Sequence, residues 1–324
     1  MAIIYEPKGK ALEYSPLAVN LYKGCAHGCV YCYGPSTIKI KKAVFSSPDY
    51  IQPRPGILEA LKKDAAKLAG DKREILLSFT SDAYQPVEKD LRITRQALEI
   101  LTAHGLTVTI LTKGGAWGIR RDMDLLKQNS RNAWSVTLTH DDPAVSLEWE
   151  PGAALPEDRI ESLRLAHSAG IKTWVSFEPV IDPEAVYRIL GATSEFVDFY
   201  KAGKLNYHPL AKEIDWRRFK EEIEARLTRL EKPYYLKKDL AEAARDKHAA
   251  PSGGIGNGIL TEAELRRLKF LLLAAATALE EGQDPLLINF LQEHSIAFAE
   301  CAAFREAMAF GIRYWVADAF AEEL

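Results

Sequence analysis

Cysteine is scarce in this chain, with four in 324 residues. So low a count excludes the disulfide framework of a small secreted scaffold and suits free thiols in a reducing cytoplasm, the expected location. An excess of one charge is also missing: 42 Lys+Arg against 45 Asp+Glu leave a net charge of −3. No global basic field therefore advertises nucleic acid. Long apolar runs are absent too. The longest, Phe270 to Leu279, is too short to span a bilayer, so no membrane partner is expected. The opening residues Met-Ala-Ile-Ile-Tyr-Glu-Pro-Lys show no signal-peptide pattern. There is no internal repeat and no low-complexity tract. What is present is a length suited to one large domain, or a domain with an extension, and a hydrophobic fraction of 47%, ample for a packed core.

The few cysteines are not scattered. Cys25, Cys29 and Cys32 fall within the ten residues Gly24–Tyr33, and the fourth, Cys301, is remote. The spacing is C-x3-C-x2-C, and Gly24 and Gly28 let the loop fold tightly enough for three sulfurs to converge. A disulfide reading fails on the odd number. A closed zinc site takes four ligands, commonly in paired C-x2-C units. Here the Cys29–Cys32 pair has no mate, and His27 would strain the loop to reach the same metal. A cubane iron–sulfur cluster is normally held by four thiolates. Three would leave one iron without a protein ligand, which is a catalytic arrangement by the logic of an open zinc site. A zinc- or cluster-stabilised nucleic-acid-binding module without catalysis stays open as the reading from another class.

The rest of the chain alternates strands and helices. Leu17–Tyr22 reads as a first strand, followed by the cysteine loop. Ile38–Phe45, with Lys39, Lys41 and Lys42 between apolar residues, reads as an edge strand with solvated lysines. Ile57, Leu58, Leu61, Ala65 and Leu68 recur at helical spacing up to Gly70. Further strands are expected at Glu74–Thr80, Leu106–Thr112, Ala133–Thr139, Ile171–Phe177 and Phe196–Ala202, with a short last one at Pro233–Leu236. Helices are expected at Leu91–His104, Ile119–Gln128, Asp158–Ser168, Pro183–Leu190 and Trp216–Leu230. Six strands alternating with helices predict an α/β fold with a parallel sheet, too short for a closed eight-stranded barrel: a partial (βα)6 barrel over residues 1–247. Residues 248–258 read as a linker. Residues 259–324 read as an all-helical extension opened by the capping box Thr261–Glu264. Within it, Cys301 reads as a buried apolar residue and His294 as an ordinary helix residue.

Ligands of such sheets bind at the C-terminal ends of the strands. The second strand ends in Thr80-Ser81-Asp82-Ala83-Tyr84-Gln85-Pro86-Val87-Glu88-Lys89, dense in hydroxyls and carboxylates. Lys113 stands before Gly114 and Gly115 at the next end. Ser135, Thr137 and Thr139 share one face of the fourth strand. Glu178 closes the fifth, where a carboxylate is costly to bury alone, and Lys113 or Lys201 is its expected partner. Arg217, Arg218, Lys220, Arg226, Arg229, Lys232, Lys237 and Lys238 are basic, but Glu221, Glu222, Glu224 and Glu231 interleave as on a salt-bridged solvent face. A nucleic-acid partner therefore stays open without being signalled.

The cysteine loop, with Tyr31 at the aromatic position, resembles the C-x3-C-x-aromatic-C motif of the radical S-adenosylmethionine (SAM) enzymes. That resemblance implies a radical SAM barrel, a [4Fe-4S] cluster on Cys25, Cys29 and Cys32, and SAM on the open iron. It further implies cleavage to a 5′-deoxyadenosyl radical that abstracts hydrogen, and an electron donor such as a flavodoxin or ferredoxin. Over about residues 15–245 the chain resembles the spore photoproduct lyase / DNA repair photolyase-like group. The segments Thr80-Ser81-Asp82, Thr112-Lys113 and Trp134-Ser135 carry this likeness. By it, Ser81, Lys113 and Ser135 would hold the polar groups of SAM, Asp82 would lie near its amino group, and the backbone of Tyr31 would meet the adenine. Tyr84 and Glu178 are the candidates for chemistry on the substrate. The resemblance implies lyase-type repair of damaged DNA, with modification of RNA, protein or a small molecule as the alternative. One departure stands out: the lyases place a hydrogen-donating cysteine where this chain has Thr80, so Tyr84 or Tyr33 would have to serve instead.

Overall fold

The computed structural model describes residues 2–245. The expected linker at 248–258, the helices of 259–324, Cys301 and His294 lie outside those residues. A lead-in bridged at Tyr5 to Ala18, with a short 3-10 helix over Gly9–Glu13, precedes strand β1 (Leu17–Val19). The strand expected over Leu17–Tyr22 breaks after Val19, and Tyr22–Lys23 forms β2, antiparallel to β3 (Gln52–Pro53). Between them lie the cysteine loop and two short helices, α1 (Gly34–Thr37) and α2 (Lys42–Phe45). The edge strand expected over Ile38–Phe45 is therefore a turn and a helix. Phe45 is buried while Lys41, Lys42, Ala43 and Val44 are all exposed. One inward anchor per turn suits a helix; a strand would turn every second residue inward.

Regular βα units follow: α3 (Ile57–Lys67), β4 (Glu74–Leu77), α4 (Glu88–Leu91), α5 (Ile93–Ala103), β5 (Thr107–Thr112), α6 (Ala116–Leu126) and β6 (Ala133–Thr137). Then come α7 (Pro143–Trp149), α8 (Pro156–Ser168), β7 (Lys172–Val180), α9 (Pro183–Thr193), β8 (Phe199–Lys204), α10 (Trp216–Arg229), β9 (Tyr234–Leu236) and α11 (Lys238–Ala243). The periodicity does not announce α7. It starts because Asp142 accepts from the N–H groups of Ala144 and Val145 and Pro143 sits in its first turn.

Seven strands form one parallel sheet in the order β1-β4-β5-β6-β7-β8-β9. The six expected strands are all in it, and the Pro233–Leu236 run adds the seventh. Among the described residues no pairing joins β9 back to β1, so the sheet curls as an open half-barrel. Its two faces carry different apolar layers. The main core lies between sheet and helices and includes Val108, Ile110, Trp134, Val136 and Val175. A second, smaller cluster of Ala18, Leu76, Ala133 and Trp174, packed with Tyr14, Phe79, Leu111 and Phe199, covers the other face. Strand alternation sorts the polar residues accordingly. The Trp134 indole donates to Ser162 on α8 at 2.9 Å, so Ala133 and Ser135 face the concave side. No helix among the described residues is long and apolar enough to cross a membrane.

Candidate functional site

The cysteine loop leaves β2 at Gly24, whose φ of +68° suits glycine and whose Cβ, if present, would lie 2.6 Å from the Phe45 carbonyl oxygen. Three distant segments then grip the loop by its backbone. Cys25 N–H donates to Phe45 O at 3.2 Å, and Val30 N–H donates to Trp149 O at 2.8 Å. Gln85, fully buried, accepts from Ala26 N at 2.9 Å and donates to Gly24 O at 3.4 Å. Cys29 is buried, and Cys25 and Cys32 are half-buried. Burial pushes the Cys25 thiol well up and that of Cys29 to about 11, the latter against the pull of Lys113. Binding to a metal removes such protons.

The donor set discriminates between the candidate groups. Among the described residues no three Cys, His, Asp or Glu side chains converge closely enough to share one metal ion. A mononuclear zinc centre is a poor fit; a polynuclear cluster, in which each iron takes one thiolate, fits three separated thiols on one loop. His27 does not join them. It is buried with Nδ1 3.4 Å from Asp82 Oδ2. Burial holds its imidazole below the ordinary value although Asp82 pulls the other way.

Asp82 is a latch. Its Oδ1 accepts from Tyr84 N at 2.8 Å and from the Thr112 hydroxyl at 2.6 Å, and its Oδ2 accepts from Lys113 N at 2.7 Å. These bonds tie the loop after β4 to the end of β5 and aim Lys113. The Lys113 ammonium has no hydrogen-bonded partner among the described residues and sits 5.5 Å from the centre of the Tyr31 ring. Burial would lower its pKa, but Cys29, Glu150 and Asp82 outweigh burial and keep it charged. A charged ammonium beside Cys29 is suited to thiolates or to an anionic ligand group.

A residue set the sequence did not single out completes the loop. The Tyr31 hydroxyl donates to Glu150. Glu150 and Arg159 are 1% exposed each and form an ion pair, Nη1 to Oε2 2.5 Å. Arg159 also donates to Ala154 O at 2.7 Å and to Thr137 O at 2.9 Å. The turn between α7 and α8 thus clamps the cysteine loop, and Gly152 N–H donates to His27 O at 2.9 Å. The only advance signal was an acidic and a basic residue nine positions apart, too far for a helical pair. A Cβ on Gly152 would lie 2.2 Å from Ala26 O. Gly152→Ala is therefore expected to cost about 1–3 kcal/mol through overpacking and to lower the iron retained per chain; a thermal melt and iron analysis check both.

Of the other expected site residues, Ser81 is buried in the loop after β4 and Ser135 is buried in the middle of β6. Ser81 donates to Tyr22 O at 3.3 Å, and Ser135 donates to Ile110 O, which leaves hydroxyl lone pairs free to accept. Tyr84 is not brought to the mouth. It is 1% exposed, its hydroxyl donates to Asp122 at 2.9 Å, and its ring packs on Trp117 and Trp134 in the helix-side core. The chain turns here rather than continuing as a strand: Asp82 caps the Tyr84 N–H, and the turn carries the Tyr84 ring into the helix-side core.

Glu178 does face the concave side, but neither Lys113 nor Lys201 is its partner. Its Oε1 accepts from Lys237 Nζ at 2.8 Å and its Oε2 from the Tyr14 hydroxyl. Gly203 makes the room, since a Cβ there would lie 2.8 Å from Glu178 Cδ and 3.0 Å from Lys237 Cδ. Lys201 instead donates to Tyr14 O at 2.9 Å and lies 4.8 Å from the Trp174 ring centre. Burial lowers its pKa to about 8. Tyr33, 51% exposed beside Cys32, donates to Phe79 O at 3.1 Å. On α10, Lys220–Glu224 and Arg226–Glu222 are ion pairs one turn apart, as the interleaved charges predict.

The model of the radical SAM superfamily matches residues 19–188. An uncharacterized protein of Methanocaldococcus jannaschii is 32% identical over 192 residues, 58% of this chain and 70% of that one. An uncharacterized protein of Mycobacterium bovis is 25% identical over 190 residues, 54% of this chain and 52% of that one. Among solved structures, spore photoproduct lyase with bound AdoMet and dinucleoside spore photoproduct superimposes with a TM-score of 0.56 at 15% identity, covering 72% of this chain and 78% of that one. SuiB of Streptococcus suis bound to S-adenosylmethionine superimposes with a TM-score of 0.52 at 12% identity, covering 70% of this chain and 52% of that one.

Proposed function

The chain belongs to the radical SAM superfamily, and from that premise we propose that it holds a [4Fe-4S] cluster on Cys25, Cys29 and Cys32 and binds SAM beside it for hydrogen abstraction from a substrate. The observation that carries this reading is a single loop at the strand ends that holds three free thiols, with the charged ammonium of Lys113, which has no hydrogen-bonded partner among the described residues, beside it. Bound there, cluster and SAM supply one-electron reductive cleavage and a carbon radical. The chain does the rest. Lys113 offers its charge to an anionic group of SAM. Ser81 and Ser135 offer lone pairs to SAM's donors. Asp82 acts through the backbone it pins rather than as a ligand, because both its oxygens are already engaged. Tyr31, held by Glu150, presents its backbone at the loop's rim. The concave face, walled by Tyr14, Phe79, Trp174 and Phe199, offers the radical an apolar surface on which water is a poor competitor. Glu178, with one oxygen on Lys237 and the other on Tyr14, fixes those two side chains on that face.

Lyase-type repair of damaged DNA is the second reading, supported by the likeness in fold to spore photoproduct lyase. Thr80 cannot return a hydrogen atom as a thiol can, and the free cysteines of the described residues are those of the loop alone. That reading would need another donor, for which the exposed Tyr33 phenol is a candidate. The test of the proposal is anaerobic reconstitution followed by iron and sulfide analysis and by assay of 5′-deoxyadenosine from SAM under reduction. About four irons and four sulfides per chain with deoxyadenosine release are expected. Zinc in place of iron, with no product, would overturn it.

A further inference from the structure

From Tyr14 to Pro48 the chain contains no aspartate or glutamate, although 45 acids in 324 residues would place about five in a stretch of that length. The stretch holds the whole cysteine loop and the cover that follows it. Its lysines stay unneutralised: Lys39, Lys41 and Lys42 are exposed and form no ion pair among the described residues. The first acid beyond them is Asp49, also exposed. Interleaved with the lysines are large apolar side chains left in water: Val30 at 45%, Ile38 at 39% and Val44 at 45% exposed. The Lys42 ammonium donates to Val30 O at 3.1 Å, which joins the start of α2 to the cysteine loop.

The patch lies directly over the cysteines. Phe45, on the inner side of α2, accepts from Cys25 N through its carbonyl. The tip of its ring would touch a Cβ on Gly34 at 3.0 Å, a position itself 3.4 Å from Cys32 Sγ. A single layer of side chains thus separates the lysine face from the thiols. Apolar residues rimmed by one sign of charge mark a protein contact more than a phosphate track, which would leave Val30, Ile38 and Val44 in water.

Resting on the function proposed above, we propose that this face, built on Val30, Ile38, Lys39, Lys41, Lys42 and Val44, is the docking surface for an acidic protein that delivers one electron to the group held by the cysteines. The carrier is oxidised by one electron and the loop-held group is reduced by one; no bond forms or breaks and no proton moves. Complementary charge would steer the encounter, and the apolar patches would seat it.

The experiment compares the reconstituted full chain with a Lys39→Glu/Lys41→Glu/Lys42→Glu variant of equal iron content and circular dichroism. Cluster reduction is followed by loss of visible absorbance, once with reduced flavodoxin and once with photoreduced deazariboflavin, a small reductant without net charge. At low salt the flavodoxin rate is expected to fall by about tenfold or more in the variant and to approach the wild-type rate at high salt. The deazariboflavin rate is expected to stay the same, and Lys→Arg replacements should restore the flavodoxin rate. Equal flavodoxin rates in the two proteins would overturn the proposal. So would an unchanged flavodoxin rate accompanied by lost binding of fluorescent duplex DNA, which would assign the face to a polyanion. Failure of deazariboflavin to reduce the wild type would instead strike the cluster reading on which the proposal rests.

Discussion

Cys29→Ala is expected to leave a folded protein that retains little iron and releases deoxyadenosine only at background. Loss of an outer-shell partner already costs about 10–100-fold in metal affinity or activity, so loss of a ligand should exceed about a hundredfold. The fold should survive because the loop is gripped by backbone groups: Cys25 N–H on Phe45, Ala26 N–H on Gln85 and Val30 N–H on Trp149. None needs the Cys29 sulfur. Removing a side chain of this size should cost about 1 kcal/mol, within the common range for single substitutions. Iron analysis, electron paramagnetic resonance of the reduced sample and a thermal melt read the three effects separately. Full iron with normal product would show that Cys29 is not a ligand.

Arg159→Met is expected to give the largest loss of stability of any single change at the site, about 3–5 kcal/mol, because it leaves the Glu150 carboxylate buried without its counter-charge. The double variant Arg159→Met/Glu150→Gln should recover part of that loss, since the stranded charge is then gone. The pair also predicts the acid limb of stability. Burial alone would raise the Glu150 carboxyl, but Arg159, Lys113 and Tyr31 outweigh it and hold the group below its ordinary value. A folded pKa beneath the unfolded value of about 4.3 gives a contribution that is complete above that pH and is lost as pH falls through the folded value. Removing Arg159 should move acid unfolding to higher pH. Urea melts across pH 3 to 7 would record it; an unshifted limb would mean that the ion pair does not set it.

How far the residues disclosed this arrangement can be traced position by position. The sheet was legible because each parallel strand reads as a short apolar run, as in Glu74–Leu77 and Thr107–Thr112, bounded by glycines at helix ends. The cysteine loop was legible because its ligands are contiguous. Ile38–Phe45 was misread because alternating lysines look like a strand edge, whereas the deciding contact is the burial of Phe45 against Gly24 and Gly34. Tyr84 was misread because composition flags a whole loop and cannot say which side chains point inward. Glu150, Arg159 and Gln85 escaped notice because their partners lie far away along the chain. Lys237 stands among bases that read as a solvent face, yet it follows β9, is 3% exposed and holds Glu178. Pairings of that kind leave no periodic trace.

The clamp on Tyr31 has a consequence for how the protein is made. Glu150 follows Tyr31 by 119 residues. At about 5–20 residues per second, a ribosome needs roughly 6–24 s to deliver the brace after the cysteines have emerged. Through that interval the nascent loop has neither Trp149, Gly152 nor Glu150 to close on, and its thiols are open to oxidants and to stray metals. Maturation is thereby ordered in time: a cluster loaded after residue 159 has folded back would meet a finished cradle, and chains stalled before that point should be the ones that scavenge the wrong metal.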